Sequence, residues 1–201
     1  MNIFLIGFMG TGKSTISAVL GKELSTEVIE MDELIVKRQG MPISQIFETR
    51  GEEYFRELET GLLVELQQRD GVIVSCGGGT PMRECNVAEM KKSGIIVLLT
   101  ARPETIFERV RYSHNRPLIE HNKTVEYIAE LLEKRREKYE AAADVTIATD
   151  GKDTREICRE IQDSVKEWDT GWRNSTLTAT STLRIILLQT SPVVHFKSKK
   201  Y

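Results

Sequence analysis

Much of what would send a chain to a membrane, a secretory route or a nucleic acid is missing from this one. No apolar run approaches the roughly 20 residues needed to cross a bilayer. No basic segment precedes the apolar stretch at the N-terminus, and glycines follow it at once, so no signal peptide is expected. The cysteines are Cys76, Cys85 and Cys158, an odd number without CxxC spacing. Reduced thiols in a cytoplasmic protein fit them better than disulfides or a zinc site. His114 and His121 have no partner at metal-ligand spacing. A formal charge of −2 offers no basic field for nucleic acid. What remains is 201 residues, 40% hydrophobic and 29% charged, enough for the core of one α/β domain and expected to be soluble.

The most informative stretch lies at the start. Gly7-Phe8-Met9-Gly10-Thr11-Gly12-Lys13-Ser14 satisfies G-x-x-x-x-G-K-[ST] at every specified position. A short apolar strand, Asn2 to Ile6, precedes it, and a helix-like run beginning at Thr15 follows. In that order the glycines let backbone N–H groups turn toward phosphate oxygens. The helix N-terminus adds unpaired donors and a positive dipole end. Lys13 is suited to the β/γ-phosphates and Ser14 to a Mg²⁺ ion. Gly10, Thr11, Gly12, Lys13, Ser14 and Thr15 are therefore expected to hold ATP.

Further along, Glu27–Glu30 reads as a second strand, ending at Met31-Asp32. Apolar residues from Leu34 to Leu66 recur at three- and four-residue intervals, predicting short helices that lead into a longer one, with Gly40 and Gly51 as punctuation. Gly71–Ser75 is the next strand and runs into Gly77-Gly78-Gly79. A helix around Val87–Lys92 leads to the buried strand Ile95–Leu99, and Pro103 suits the first turn of the helix after it. Tyr112–Lys123 is polar and reads as a mobile loop. A charged helix over 124–142, a strand at Val145–Ile147 and a helix over 154–168 complete the pattern. Alternating strands and helices imply a central parallel sheet of about five strands with helices on both faces. Ligands then bind beyond the carboxyl ends of the strands.

Residues 169–201 change character. Ser and Thr dominate, and five basic residues face Asp169 alone, giving +4 and leaving −6 for residues 1–168. The tail is expected to be an extension outside the catalytic fold. Leu183–Leu188 could pair as a strand, with no partner legible in the sequence.

A P-loop alone fits an ATPase, a GTPase or a small-molecule kinase. Asp32 lies just past a strand end, while Arg56 and Arg135 sit on predicted helices. One carboxylate and two guanidiniums near a triple glycine describe a pocket for a small polyhydroxy acid. Arginine takes a carboxylate bidentately, and aspartate accepts from hydroxyls. Blander readings exist for each. Asp32 suits the N-cap of a helix beginning at Glu33, and the arginines suit solvated helix faces. Phe47 and Phe55 fit either the core or a substrate ring, and Cys76 fits packing against the sheet.

In this order the motifs resemble the shikimate kinase family over about residues 1–168. They are the P-loop, the acidic pair Glu30 and Asp32, Phe55-Arg56, Gly77-Gly78-Gly79, Arg109 ahead of Asn115-Arg116-Pro117-Leu118, and Arg135 with Tyr139. The resemblance implies a P-loop kinase fold with a mobile lid around Tyr112–Lys123, and transfer of the ATP γ-phosphoryl group to the 3-hydroxyl of shikimate. By matching position, Asp32 would hold and help activate the hydroxyl. Arg56 and Arg135 would clamp the substrate carboxylate, Gly77, Gly78 and Gly79 would line the substrate, and Arg116 would close on the phosphates. Arg109 would pack against adenine, whose edge would meet the turn near Asp150–Asp153. Glu30 stands where the family commonly has Asp beside the Mg²⁺ hydration shell; its longer side chain still reaches through water. ATP and Mg²⁺ are the implied co-substrate and cofactor, and a monomer without nucleic-acid or membrane partners is expected. Competing readings are another P-loop small-molecule kinase, of gluconate or nucleoside monophosphate type, and a non-catalytic nucleotide-binding regulatory module.

Overall fold

A computed structural model of the chain describes residues 1–111 and 124–168. The expected lid, with Arg116, and the tail from 169 onward lie outside the described residues. By its internal contacts the chain divides into two units, Met1–Gln162 and Asp163–Tyr201.

The first unit is built on five strands: β1 (Asn2–Ile6), β2 (Val28–Glu30), β3 (Ile73–Ser75), β4 (Gly94–Thr100) and β5 (Val145–Ala148). They form one parallel sheet in the order β2-β3-β1-β4-β5. Phe4 pairs with Val74 on one side and Ile96 on the other. Every residue of β1 and nearly every residue of β4 is buried, as a parallel sheet covered on both faces requires. That is why these strands read as continuous apolar runs rather than as alternating ones.

Seven further elements are α1 (Lys13–Leu24), α2 (Met31–Gln39), α3 (Ile43–Arg50), α4 (Glu52–Leu66), α5 (Glu84–Ser93), α6 (Pro103–Val110) and α7 (Val125–Ala142). Residues 154–168 are also helical. A single 3-10 turn, Thr80–Met82, follows the triple glycine. Helix α7 starts where Thr124 accepts a hydrogen bond from the Tyr127 N–H at 3.2 Å, a side-chain N-cap. Helix α4 buries Phe55, Glu59, Leu62, Leu63 and Leu66, one face at helical spacing with a carboxylate in its middle.

Two ambiguities are resolved. Helix α2 begins at Met31 with Glu30 in the cap position, so Asp32 lies in the first turn and does not cap the helix. Phe55 is buried and meets Phe47 edge-to-face at 5.2 Å, which places the pair in the core. Cys76 is likewise buried, and burial raises its thiol far above the usual range. Cys158, also buried, is pushed up to about 11 by the same cause. Neither thiol is a nucleophile at neutral pH. Among the described residues, no helix is long and apolar enough to cross a membrane.

Candidate active site

The parallel register brings the carboxyl ends of all five strands to one edge, so five loops of distant sequence meet there. The loop after β1 turns through Gly10 at φ 79° and Gly12 at φ 98°. Both values lie in the left-handed region that side chains disfavour. Gly12 occupies the cap position of α1 without a side-chain cap, so the first N–H groups of that helix remain available to an anion. Lys13 Nζ donates to the Gly7 and Phe8 carbonyls at 2.8 and 3.1 Å, and the buried Thr11 hydroxyl donates to the Phe8 carbonyl at 2.8 Å. The lysine is thus folded along the loop it serves. Thr15 is exposed on the first turn of α1.

Glu30, at the end of β2, reaches the start of α1. The Ser14 hydroxyl donates to its Oε2 at 2.9 Å and the Ser17 hydroxyl to its Oε1 at 2.7 Å. Among the described residues, no three His, Cys, Asp or Glu side chains converge as a metal cage. A hydroxyl with a carboxylate behind it nevertheless suits Mg²⁺, which takes few protein ligands and keeps its waters and phosphates. The residues present fit that ion.

At the far side of the P-loop, Arg109 Nη1 donates to the Gly10 carbonyl at 3.0 Å and to Thr149 Oγ1 at 3.1 Å. It therefore ties the phosphate loop to the turn that follows β5. In that turn Asp150 accepts from the Arg102 N–H at 3.1 Å and from the Thr105 hydroxyl at 2.6 Å, closing the N-terminus of α6 from outside the helix.

On helix α4 the polar contacts of this edge are organised by Arg56. Its Nη1 donates to Glu59 Oε2 at 2.7 Å, while its Nε and Nη2 donate to Glu52 Oε1 at 3.1 and 2.6 Å. Glu59 is fully buried and also accepts from the Thr80 hydroxyl at 2.5 Å. Burial works against the charge on Arg56, but Glu59 and Glu52 outweigh it and hold the pKa of the guanidinium above its usual value. Burial raises the Glu59 pKa, with Thr80 and Arg56 opposing it.

The triple glycine has a packing reason. A Cβ on Gly77 would lie 2.7 Å from Asp32 Oδ1 and 2.9 Å from Glu59 Oε1. One on Gly79 would lie 2.7 Å from Arg56 Cζ and Nη2. Glycine here makes room for the charged groups of the site. Gly78 is fixed from the other side: the Tyr139 hydroxyl of α7 donates to its carbonyl at 2.6 Å. One turn before Tyr139, Arg135 sets its guanidinium 5.7 Å from the centre of the Phe8 ring. Burial raises the Tyr139 pKa, with the nearby Arg135 and Arg56 charges opposing.

Arg56, Gly79 and Arg135 share a cavity of about 340 Å³ with Glu52, Glu53, Met82 and Arg83. Arg136, one residue along, pairs with Glu133 at 2.7 Å and faces a different cavity. The cavity is thus lined by Arg135, the arginine four residues before Tyr139, and not by Arg136. Of the residues expected in the site, those of the P-loop, Glu30, Asp32, Arg56, Gly77–Gly79, Arg109 and Arg135 all meet at this edge. Arg116 lies outside the described residues. Glu59, Ser17, Thr149 and Glu52 were not anticipated. For Glu59 a signal existed, since a carboxylate three residues from an arginine inside an apolar helix stripe implies a buried pair.

Comparison with known proteins agrees with this geometry. The family model described as "SKI: Shikimate kinase" matches residues 9–166. The shikimate kinase of Dehalococcoides mccartyi is 39% identical over 168 residues, covering 84% of this chain and 95% of that protein. The structure of a shikimate kinase from Acinetobacter baumannii in complex with shikimate is 32% identical with a TM-score of 0.77, covering 83% of this chain and 93% of that one. A gluconokinase from Sinorhizobium meliloti has a TM-score of 0.57 at 19% identity over 87% of this chain and 96% of that one, a likeness of fold alone. With most of its length matched at these levels, the chain belongs to the shikimate kinase family.

Proposed function

We infer that the chain is a shikimate kinase: it transfers the γ-phosphoryl group of ATP to the 3-hydroxyl of shikimate, giving shikimate 3-phosphate and ADP. The observation that carries the reading is the cavity holding Arg56 and Arg135 beside Gly79, on the sheet edge that also carries the P-loop. A planar guanidinium pair suits a carboxylate, and the adjoining loop suits a nucleoside triphosphate.

In this reading the acceptor carboxylate binds Arg56 and Arg135, and the turn at Gly77–Gly79 lines its ring. The side chain of Asp32 accepts from the ring hydroxyls. The 3-hydroxyl oxygen forms a bond to the γ-phosphorus as the bond to the ADP oxygen breaks, and Asp32 receives the hydroxyl proton. Loop N–H groups, Lys13 and Arg116 face the negative charge spread over the phosphoryl oxygens. Arg109 and the turn near Asp150–Asp153 border the adenine. Ser14 would hold Mg²⁺, with Glu30 acting through water; the ion neutralises phosphate charge when bound. The reading carries with it a cytoplasmic, monomeric enzyme whose catalytic unit is residues 1–168.

A coupled assay of ADP release with and without shikimate tests the reaction, and a panel including gluconate and nucleoside monophosphates tests the acceptor. Roles are separated by kinetics with both substrates varied. Arg56→Ala and Arg135→Ala should each weaken acceptor binding by about 2–5 kcal/mol with little change toward ATP. Arg116→Ala should act mainly on kcat, and lysine should rescue Arg116 better than either clamp residue, since it keeps charge without the planar fork. Unchanged shikimate affinity in both clamp variants would remove the carboxylate site and reopen the choice of acceptor.

A further inference from the structure

The guanidinium assigned to the acceptor is already engaged by two carboxylates of unlike character. Glu59, with a side chain fully shielded from solvent, takes Nη1. Glu52, four residues before Arg56 on α4, has a side chain 63% exposed and takes Nε and Nη2 through one oxygen. The Nε/Nη2 edge is one of the two edges on which a guanidinium receives a carboxylate bidentately. Glu52 also lines the same cavity as Arg56 and Arg135. The neighbouring Glu53 is engaged by Arg83, so the two acidic residues at the cavity wall have separate partners.

We propose that Glu52 is a resident anion of the acceptor site, occupying the Nε/Nη2 edge of Arg56 until an acceptor carboxylate replaces it, and that it thereby sets the affinity of that site for carboxylates. The proposal rests on the reading of Arg56 as a carboxylate-binding residue. Two arrangements are open to an incoming carboxylate, and Glu52 opposes both. On the Nε/Nη2 edge the acceptor must displace Glu52. On the Nη1/Nη2 tip it would sit as a third carboxylate around one cation, beside a like charge.

Glu52 is not needed to hold Arg56 in place. The buried Glu59, fixed in turn by Thr80, anchors the guanidinium from below, whereas an exposed pair such as Arg56–Glu52 holds weakly. A weak, exposed internal partner raises the threshold that any carboxylate must pass to bind. A simple carboxylate gains only the Arg56 and Arg135 contacts on displacing Glu52. An acceptor that also offers hydroxyls to Asp32 and the glycine turn gains more. Glu52 thus lowers the affinity for every anion, and only those with the additional contacts bind well.

The test uses the full chain with Glu52→Gln, which keeps the size and an acceptor oxygen but removes the charge. Shikimate binding without nucleotide is measured by calorimetry, and sodium acetate serves as the minimal carboxylate probe in competition with shikimate. Shikimate is expected to bind about two- to fivefold more tightly, the range that loss of an exposed ion pair allows. Acetate should compete more strongly by a similar factor, while the neutral carboxamide of shikimate should gain nothing. Unchanged or weaker shikimate binding in Glu52→Gln would overturn the proposal, the latter making Glu52 an anchor for Arg56. An equal gain by the carboxamide would also overturn it, since the effect would then not involve the charge. Arg56→Ala is measured alongside: if it binds shikimate as the parent does, the acceptor-site reading has failed and the proposal with it. If it loses shikimate while Glu52→Gln shows no gain, only the proposal has failed.

Discussion

Gly79→Ala isolates the geometry of the acceptor site from the stability of its backbone. Gly79 has φ −95° and ψ −15°, a conformation alanine adopts freely, so the substitution brings no backbone strain. The added Cβ would lie 2.7 Å from both Cζ and Nη2 of Arg56 and closer still to Nη1. Ordinary carbon contacts begin near 3.5 Å, so the guanidinium must move by roughly 1 Å. It is the end of a flexible side chain and is able to move, but its 2.7 Å bond to the buried Glu59 does not survive such a shift. Weakening a partner of a buried charged group costs about 1–3 kcal/mol, which is the expected loss of stability. Misplacing one arm of the proposed carboxylate clamp should raise the shikimate KM by about 10- to 100-fold, equivalent to roughly 1.4–2.8 kcal/mol. The KM for ATP should stay near the parent value, because the P-loop is not touched. Gly61→Ala is the control: Gly61 lies within α4 with nothing near its Cβ position. It should stabilise the protein by about 0.5–1 kcal/mol without kinetic effect. Steady-state kinetics with both substrates varied and thermal unfolding of both variants make the measurement. A parental shikimate KM in Gly79→Ala would refute the claim that this glycine exists to make room for Arg56.

Two further expectations concern the rest of the chain. Partial burial pushes Asp150 upward, but hydrogen bonds from Thr105 and Arg102 and the Arg102 charge outweigh it and hold its pKa below the usual value. A depressed folded-state pKa contributes stability above the ordinary aspartate value of about 4, and that contribution is lost as pH falls through the folded value. Asp150→Asn should therefore lower Tm at neutral pH and flatten the acid side of the stability profile; an unchanged acid limb would show that the Asp150 cap of α6 contributes nothing. Ending the chain after Trp168 should leave shikimate kinase activity and Tm close to those of the full chain, because the family match ends at residue 166. Loss of soluble folded protein on truncation would assign the tail a role in the fold.

The residue pattern alone determined the elements of this protein and its phosphate loop. Strand Asn2–Ile6 and strand Gly94–Thr100 were legible because a parallel strand buried on both faces is apolar throughout. The P-loop was legible because its chemistry is local: glycines, lysine and serine act within eight consecutive residues. The proposed carboxylate clamp was legible as residue types and a resemblance, since Arg56 and Arg135 lie far apart in the chain. The four-residue spacing from Arg135 to Tyr139 marked Arg135 rather than Arg136 in the sequence, and in the structure Arg135 lines the cavity with Arg56 while Arg136 faces another, because one helical step turns a side chain by about 100°. Only the tertiary structure decided that Asp32 is not a helix cap, since the cap position depends on where β2 ends. The carboxylates behind Arg56 were hidden for a further reason. Glu52 and Glu59 are both acidic residues of one helix, and only packing against Thr80 and Gly77 buries one and leaves the other exposed at the cavity wall. Burial is a property of the assembled layers, and it makes one of these carboxylates an anchor and the other a competitor.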